Sequence, residues 1–203
     1  MQNSNTKITG ILLAGGKSRR MGTEKGILEM GDAPLYQHPL KVLELLCDEI
    51  LISTCRASLF QVPYQKVCDE IKEIGPLGGI YSCLKQSSNH LNLVLSYDMP
   101  LVTESLFRLL IRKQDPYELV LPAMPGKQPE PLCGLYTKSI LGAIGQMIEE
   151  QDFAVNHLLN HCQSRIVPVS EEMEGWKPNL FLNINSKEDF QHIPPGFGTE
   201  QGA

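Results

Sequence analysis

The chain reads as an α/β protein built on a parallel sheet, and three observations say so. Short apolar runs alternate with amphipathic ones along its length, the pattern of strands joined by crossover helices. The first run, residues 8–14, is apolar rather than alternating, as a strand covered on both faces must be. The most strand-like run, residues 91–97, ends on Asp98-Met99-Pro100, which puts an acid where open α/β sheets take their ligands.

The first run leads into residues 12–25, Leu-Leu-Ala-Gly-Gly-Lys-Ser-Arg-Arg-Met-Gly-Thr-Glu-Lys. Gly15 and Gly16 lack a Cβ, so the backbone there can bring N–H groups against phosphate oxygens. Lys17, Arg19, Arg20 and Lys25 place four cations within nine residues, donors that a triphosphate needs and a purely structural turn does not. A solvated basic turn is the competing explanation. Neither of the commoner phosphate loops, Gly-x-x-x-x-Gly-Lys-Ser/Thr or Gly-x-Gly-x-x-Gly, is present here.

Beyond it, Gly31-Asp32 turns the chain and residues 34–47 predict a helix starting near Pro34, with Pro39 disturbing its first turn. Residues 49–54 and 64–68 predict strands, the latter followed by Asp69. Gly75-Pro76-Leu77-Gly78-Gly79-Ile80 opens a helix through Lys85; its small residues either pack tightly or let a base or ribose lie on the backbone. Pro100 keeps Met99 extended and aims Asp98 out of the strand end, which makes Asp98 the candidate metal ligand; a plain turn with Thr103 as N-cap is the alternative.

Residues 106–111 predict a helix and 118–123 a strand. The proline-rich stretch 124–130, without apolar periodicity, predicts a functional loop before another strand, 131–136. Helices are expected at 141–148 and 155–162, and an edge strand broken by Pro168 at 165–169. His157 and His161 stand four apart without an intervening glutamate, so a solvated helix edge is expected rather than a metal pair. Residues 181–186 predict a strand with Asn183 and Asn185 on one face, followed by a helix that Ser186 caps with Asp189. The stretch 1–192 is expected to form one domain and 193–203 a disordered tail.

At 203 residues the chain is long enough to bury a large core, and its net charge of −5 argues against nucleic acid as partner. No apolar run approaches the 20 or so residues of a membrane span, so a cytoplasmic location is expected. Six cysteines without a Cys-x-x-Cys pair are expected to be reduced and mostly buried.

Ala14-Gly15-Gly16-Lys17-Ser18, then Arg20-Met21-Gly22 and Lys25, resembles the signature of the Rossmann-like nucleotidyltransferases, and among them the molybdenum cofactor guanylyltransferases of the MobA type. Gly75–Ile80, Asp98-x-Pro100, Pro131–Tyr136 and Asn183-x-Asn185 resemble later motifs of the same family in the same order, so that the resemblance runs from Ile8 to about Phe190. It implies a three-layer α/β/α sandwich with a mostly parallel sheet. It also implies transfer of GMP from GTP to molybdopterin with release of pyrophosphate, using Mg2+, and molybdoenzyme-specific chaperones as further partners. In that scheme Leu13, Ala14, Gly15, Gly16, Lys25, Asp69, Gly78, Gly79 and Asp98 hold GTP, and Arg19 and Arg20 meet the leaving phosphates. Asp98 carries the metal, and Asn183 and Asn185, far along the chain from both glycine segments, take the pterin. Two positions depart from the family pattern: Glu24 stands for the usual Asp, and Cys55 for the Asn that precedes Arg56. The second departure keeps a cytidylyltransferase acting on the same pterin in view; a non-catalytic GTP-binding maturation partner is the other alternative.

Overall fold

The computed structural model describes residues 6–15, 29–31, 33–56, 58, 60–185, 189 and 193. In chain order its elements begin with β1 (Ile8–Leu13), the two-residue strands β2 (Glu29–Met30) and β3 (Ala33–Pro34), α1 (Gln37–Glu44), β4 (Glu49–Ser53) and β5 (Gln65–Val67). There follow α2 (Pro76–Gln86), β6 (Leu91–Ser96), α3 (Glu104–Arg112), β7 (Leu119–Ala123), β8 (Cys133–Thr137), α4 (Leu141–Glu149) and β9 (Ser164–Pro168). Seven strands form one sheet in the order β5-β4-β1-β6-β8-β7-β9, and only β8 runs against the others.

Every residue of β1 and of β6 is buried, because each lies inside the sheet with a helical layer on either side. Successive side chains feed opposite cores. Ile8, Leu12, Leu93 and Leu95 pack with Leu40 and Leu43 of α1 and with Leu106, Phe107 and Leu110 of α3. Ile11, Leu13 and Val94 pack with Leu77, Ile80 and Leu84 of α2 and with Ile144 and Met147 of α4. These two cores make the three-layer α/β/α sandwich that the resemblance implies.

Three expectations need correction. Pro34 does not open a helix: it pairs with Glu29 across a hairpin turned at Gly31, whose φ is +66°. The helix waits until Gln37 and keeps Pro39 in its first turn, where a missing N–H loses no helical bond. The run expected to be helical at 155–162 is helical over Val155–Asn160, as a short 3-10 helix.

Residues 181–185 are not a strand, and Ser186 lies outside the described residues. Leu182 N–H closes a turn on Asn179 O, and Ile184 N–H goes to Asp98 O at 2.9 Å, so the segment docks by single bonds, with no ladder partner among the described residues. Asn183 is half-buried and Asn185 exposed, unlike neighbours on one strand face. Asp189 accepts Asn185 N–H at 2.6 Å, while Ser186 and the helix it was expected to cap lie outside the described residues. Ile193 packs beside Leu182 on a small cluster of Met30, Leu35, Leu101 and Ile184. Residues 194–203 of the expected tail lie outside the described residues.

The cysteines are not all reduced: Cys55 and Cys68 form a disulfide. Spacing along the chain could not reveal it, because what brings them together is the pairing of β4 with β5. Cys47, Cys83, Cys133 and Cys162 are free.

Candidate active site

The strand ends build the site. Leu13 is in register with Ser53 on one side and Ser96 on the other, and Ser53 with Val67, so β5, β4, β1 and β6 all finish at one level. The chain leaves β1 toward β4 and β5 on one side and returns to β6 on the other, which makes this edge a topological switch point of the sheet. Ala14 N–H donates to Ser53 O at 3.0 Å, and Tyr97 N–H to Leu13 O at 3.1 Å, so the start of the glycine loop is tied to both neighbours.

Asp69 follows β5. Burial raises its carboxyl pKa, and a hydrogen bond from the Ser53 hydroxyl pulls the other way. The turn beyond it is fastened to α2, for Glu70 N–H donates to Ser82 Oγ at 2.9 Å and that hydroxyl donates to Gly78 O at 2.8 Å. Helix α2 starts at Gly75, whose φ of +65° disfavours a side chain, followed by Pro76 in the first turn. A Cβ on Gly79 would stand 2.4 Å from Ser53 Oγ and 3.5 Å from Asp69 Oδ1; one on Gly78 would stand 2.8 Å from Ile71 O. Protein atoms therefore fill the space these glycines leave. The tight-packing alternative explains their Cβ sides, and it is this close seating that brings α2 against Ser53 and Asp69.

Across β1, Asp98 follows β6. The Ser96 hydroxyl donates to its Oδ1 at 2.6 Å, Met99 N–H donates to Ser96 O, and Ile184 N–H holds its carbonyl. The structure thus brings the closing Asn183–Asn185 motif to Asp98. Opposite, the 124–130 loop enters β8: Glu130 N–H donates to Pro122 O, its Oε1 accepts Leu132 N–H at 3.2 Å, and Ser96 N–H donates to Leu132 O. Burial is the main reason the Glu130 pKa lies above the usual range, with the charge of Asp98 adding to it.

Leu13, Ala14, Gly15, Asp69, Gly79 and Asp98 therefore share one edge of the sheet, whereas Gly16, Arg19, Arg20 and Lys25 lie outside the described residues. Two residues went unread in the sequence. Ser53, 2 % exposed, joins the glycine loop, Asp69 and α2; Glu130 adds a half-buried carboxylate on the Asp98 side. A serine at a strand end carries no distinguishing signal, while Glu130, held between Pro129 and Pro131, could have been found as the one acid of the loop already marked as functional.

Among the described residues no group of three or more His, Cys, Asp and Glu could hold a metal ion. Asp98 still fits the implied magnesium, since that ion usually takes one or two carboxylates and draws its remaining ligands from phosphate and water. His157 is exposed and its Nδ1 meets Asp152 Oδ2 at 2.7 Å, while His161 is half-buried.

The model of the MobA-like NTP transferase domain matches residues 10–166, from inside β1 to inside β9. The chain belongs to the MobA-like NTP transferase family. A probable molybdenum cofactor guanylyltransferase of Flavobacterium johnsoniae is 32% identical over 92% of this chain and 96% of its own. A molybdenum cofactor guanylyltransferase of Syntrophotalea carbinolica is 29% identical over 94% and 93%. Among solved structures, molybdopterin-guanine dinucleotide biosynthesis protein A of Archaeoglobus fulgidus superposes with a TM-score of 0.74 at 21% identity, covering 91% of this chain and 95% of the other. The fold is shared more widely: a 4-diphosphocytidyl-2C-methyl-D-erythritol synthase of Anaerococcus prevotii matches with a TM-score of 0.67 at 14% identity, over 92% and 96%. Among the described residues of this MobA-like chain, no helix is long and apolar enough to cross a membrane.

Proposed function

We infer that the chain is a molybdenum cofactor guanylyltransferase: it transfers GMP from GTP to molybdopterin, forming molybdopterin guanine dinucleotide and releasing pyrophosphate. The observation that carries this reading is the level row of strand ends, with Asp69 on one side of the β1 loop and Asp98 on the other. A nucleotide laid along that row has its base and ribose toward Asp69 and its phosphates over Ala14 and Gly15, toward Asp98.

An oxygen of the molybdopterin phosphate attacks the α-phosphorus of GTP, one P–O bond forms, and the bond to the bridging oxygen of pyrophosphate breaks in line. No covalent bond to the protein is needed. Positioning and charge supply the catalysis. Ser96 and Ile184 fix Asp98 from both sides, and Ser53 orients Asp69. We assign Arg19, Arg20 and Lys25 to the triphosphate tail, Gly16 to the phosphate loop, and Asn183 and Asn185 to the pterin. Magnesium, held by Asp98, would screen the phosphate charge. GTP supply places the reaction in the cytoplasm, and a molybdoenzyme-specific chaperone would receive the product.

Cys55, tied into a disulfide, cannot supply the amide its family position usually offers, which favours testing a cytidylyl donor beside the guanylyl one. Pyrophosphate release with molybdopterin, magnesium and each nucleotide in turn separates the two. In the same assay Asp98→Asn should cut turnover by roughly 10²–10³-fold with the fold intact by circular dichroism. Near wild-type turnover would remove Asp98 from the site.

A further inference from the structure

Strands β4 and β5 end level, and the ladder runs one bond past them, Thr54 N–H donating to Val67 O at 2.8 Å. One step farther on each chain the disulfide joins Cys55 to Cys68, with Cα atoms 4.4 Å apart. Both residues are exposed. The four free cysteines are buried or half-buried. Burial pushes the thiols of Cys47 and Cys83 up to about 12 and that of Cys162 up to about 11, and holds Cys133 well above its ordinary value. Thiol exchange, which needs an accessible sulfur and a thiolate, is thereby confined to one place on the chain.

That place borders the nucleotide side of the site. Cys68 immediately precedes Asp69, whose carboxylate takes the Ser53 hydroxyl beside Gly79, and Cys55 follows Thr54 at the end of the same strand as Ser53. Strand β5, which delivers Asp69, is a strand of three residues that, among the described residues, lies at the sheet edge and pairs only with β4. With so short a ladder, the covalent link is the strongest restraint on where Asp69 stands relative to β4.

We propose that Cys55–Cys68 is a reversible thiol–disulfide site that sets nucleotide affinity, the oxidised form holding nucleotide more tightly. The inference rests on the guanylyltransferase reading for the identity of that nucleotide. A dithiol reductant attacks one sulfur of the pair and the Cys–Cys bond breaks, leaving a mixed disulfide. Its second thiolate then resolves that bond. Cys55 and Cys68 gain two electrons and two protons, and the dithiol leaves as its own disulfide. Reduction frees the end of β5, so binding must then order Asp69 as well as the ligand.

The test compares the full-length protein oxidised by glutathione disulfide with the same protein reduced by dithiothreitol, each state verified by peptide mapping. GTP binding with magnesium is followed by calorimetry. Reduction should weaken GTP by roughly five- to tenfold. Cys55→Ser and Cys68→Ser should bind as the reduced protein does and ignore dithiothreitol. Equal or tighter binding after reduction, or an oxidised protein lacking the 55–68 bond, overturns the proposal. Binding of CTP but not GTP in both states overturns the guanylyl reading alone, because the redox comparison is then read on CTP by the same criteria.

Discussion

Asp69 shows what a single buried carboxyl, which we assign to the nucleotide, costs the fold. Burial raises its pKa in the folded chain, so the native state holds this proton more tightly than the unfolded state does. Its contribution to stability is therefore lost as pH rises from near the ordinary aspartate value of 3.8 through the raised folded value, and the charged form at neutral pH is kept at a cost. Asp69→Asn should melt at the same temperature as the parent or higher at pH 7, with the difference closing toward acid pH, while GTP affinity falls. Melting curves across pH 3–7 and calorimetry at pH 7 check this; a variant clearly less stable at pH 7 contradicts it. Gly79→Ala tests the seating of α2, since its Cβ would stand 2.4 Å from Ser53 Oγ. It should cost roughly 1–3 kcal/mol of stability by overpacking, read as a lower urea midpoint with weaker GTP binding, and an unchanged midpoint would show that Ser53 yields freely. At this scale the sequence made the glycines legible as small residues, but not Ser53, the neighbour that requires Gly79 to be one.

Elements with their own periodicity were read correctly, and those defined by a partner were not. β1, β6 and α2 announce themselves through apolar runs, a terminal acid or a Gly-Pro start. The hairpin of β2 and β3 is too short for any period to show, and so Pro34 looked like a helix start. The 181–186 run has the composition of a strand, but its described residues dock on Asp98 through Ile184 instead. That docking sharpens a prediction for the element. Replacing Asn183 and Asn185 together with Ala should raise the molybdopterin concentration needed for half-maximal turnover and leave GTP affinity within a few-fold. Collapse of GTP–magnesium binding in a folded protein would move the motif from the pterin to the metal side of Asp98.

For the whole molecule, a ligand gripped by the ends of several strands stabilises all of them at once. GTP with magnesium at about 100 times its Kd should add about 2.7 kcal/mol, which for a chain of this size raises the melting temperature by roughly 5–10 °C. CTP tested alongside reports base preference without any need for the pterin, and equal shifts would leave the guanylyl reading without support from binding. The sheet itself was largely legible, since most of its strands run parallel and carry continuous apolar runs. The reversed strand was not, because direction leaves no mark on composition. That reversal matters beyond topology. β8 brings the beginning of a strand, rather than its end, to the edge where β1 and β6 finish, so the 124–130 loop arrives from the opposite chain direction to the segments that we assign to the nucleotide. Insertions or exchanges in this loop can alter what meets the donor without shifting a single residue of the donor half. Descendants of such a chain could trade one acceptor for another while inheriting the nucleotide grip intact, so a loop grafted from a relative with a different acceptor should change acceptor choice at constant GTP affinity.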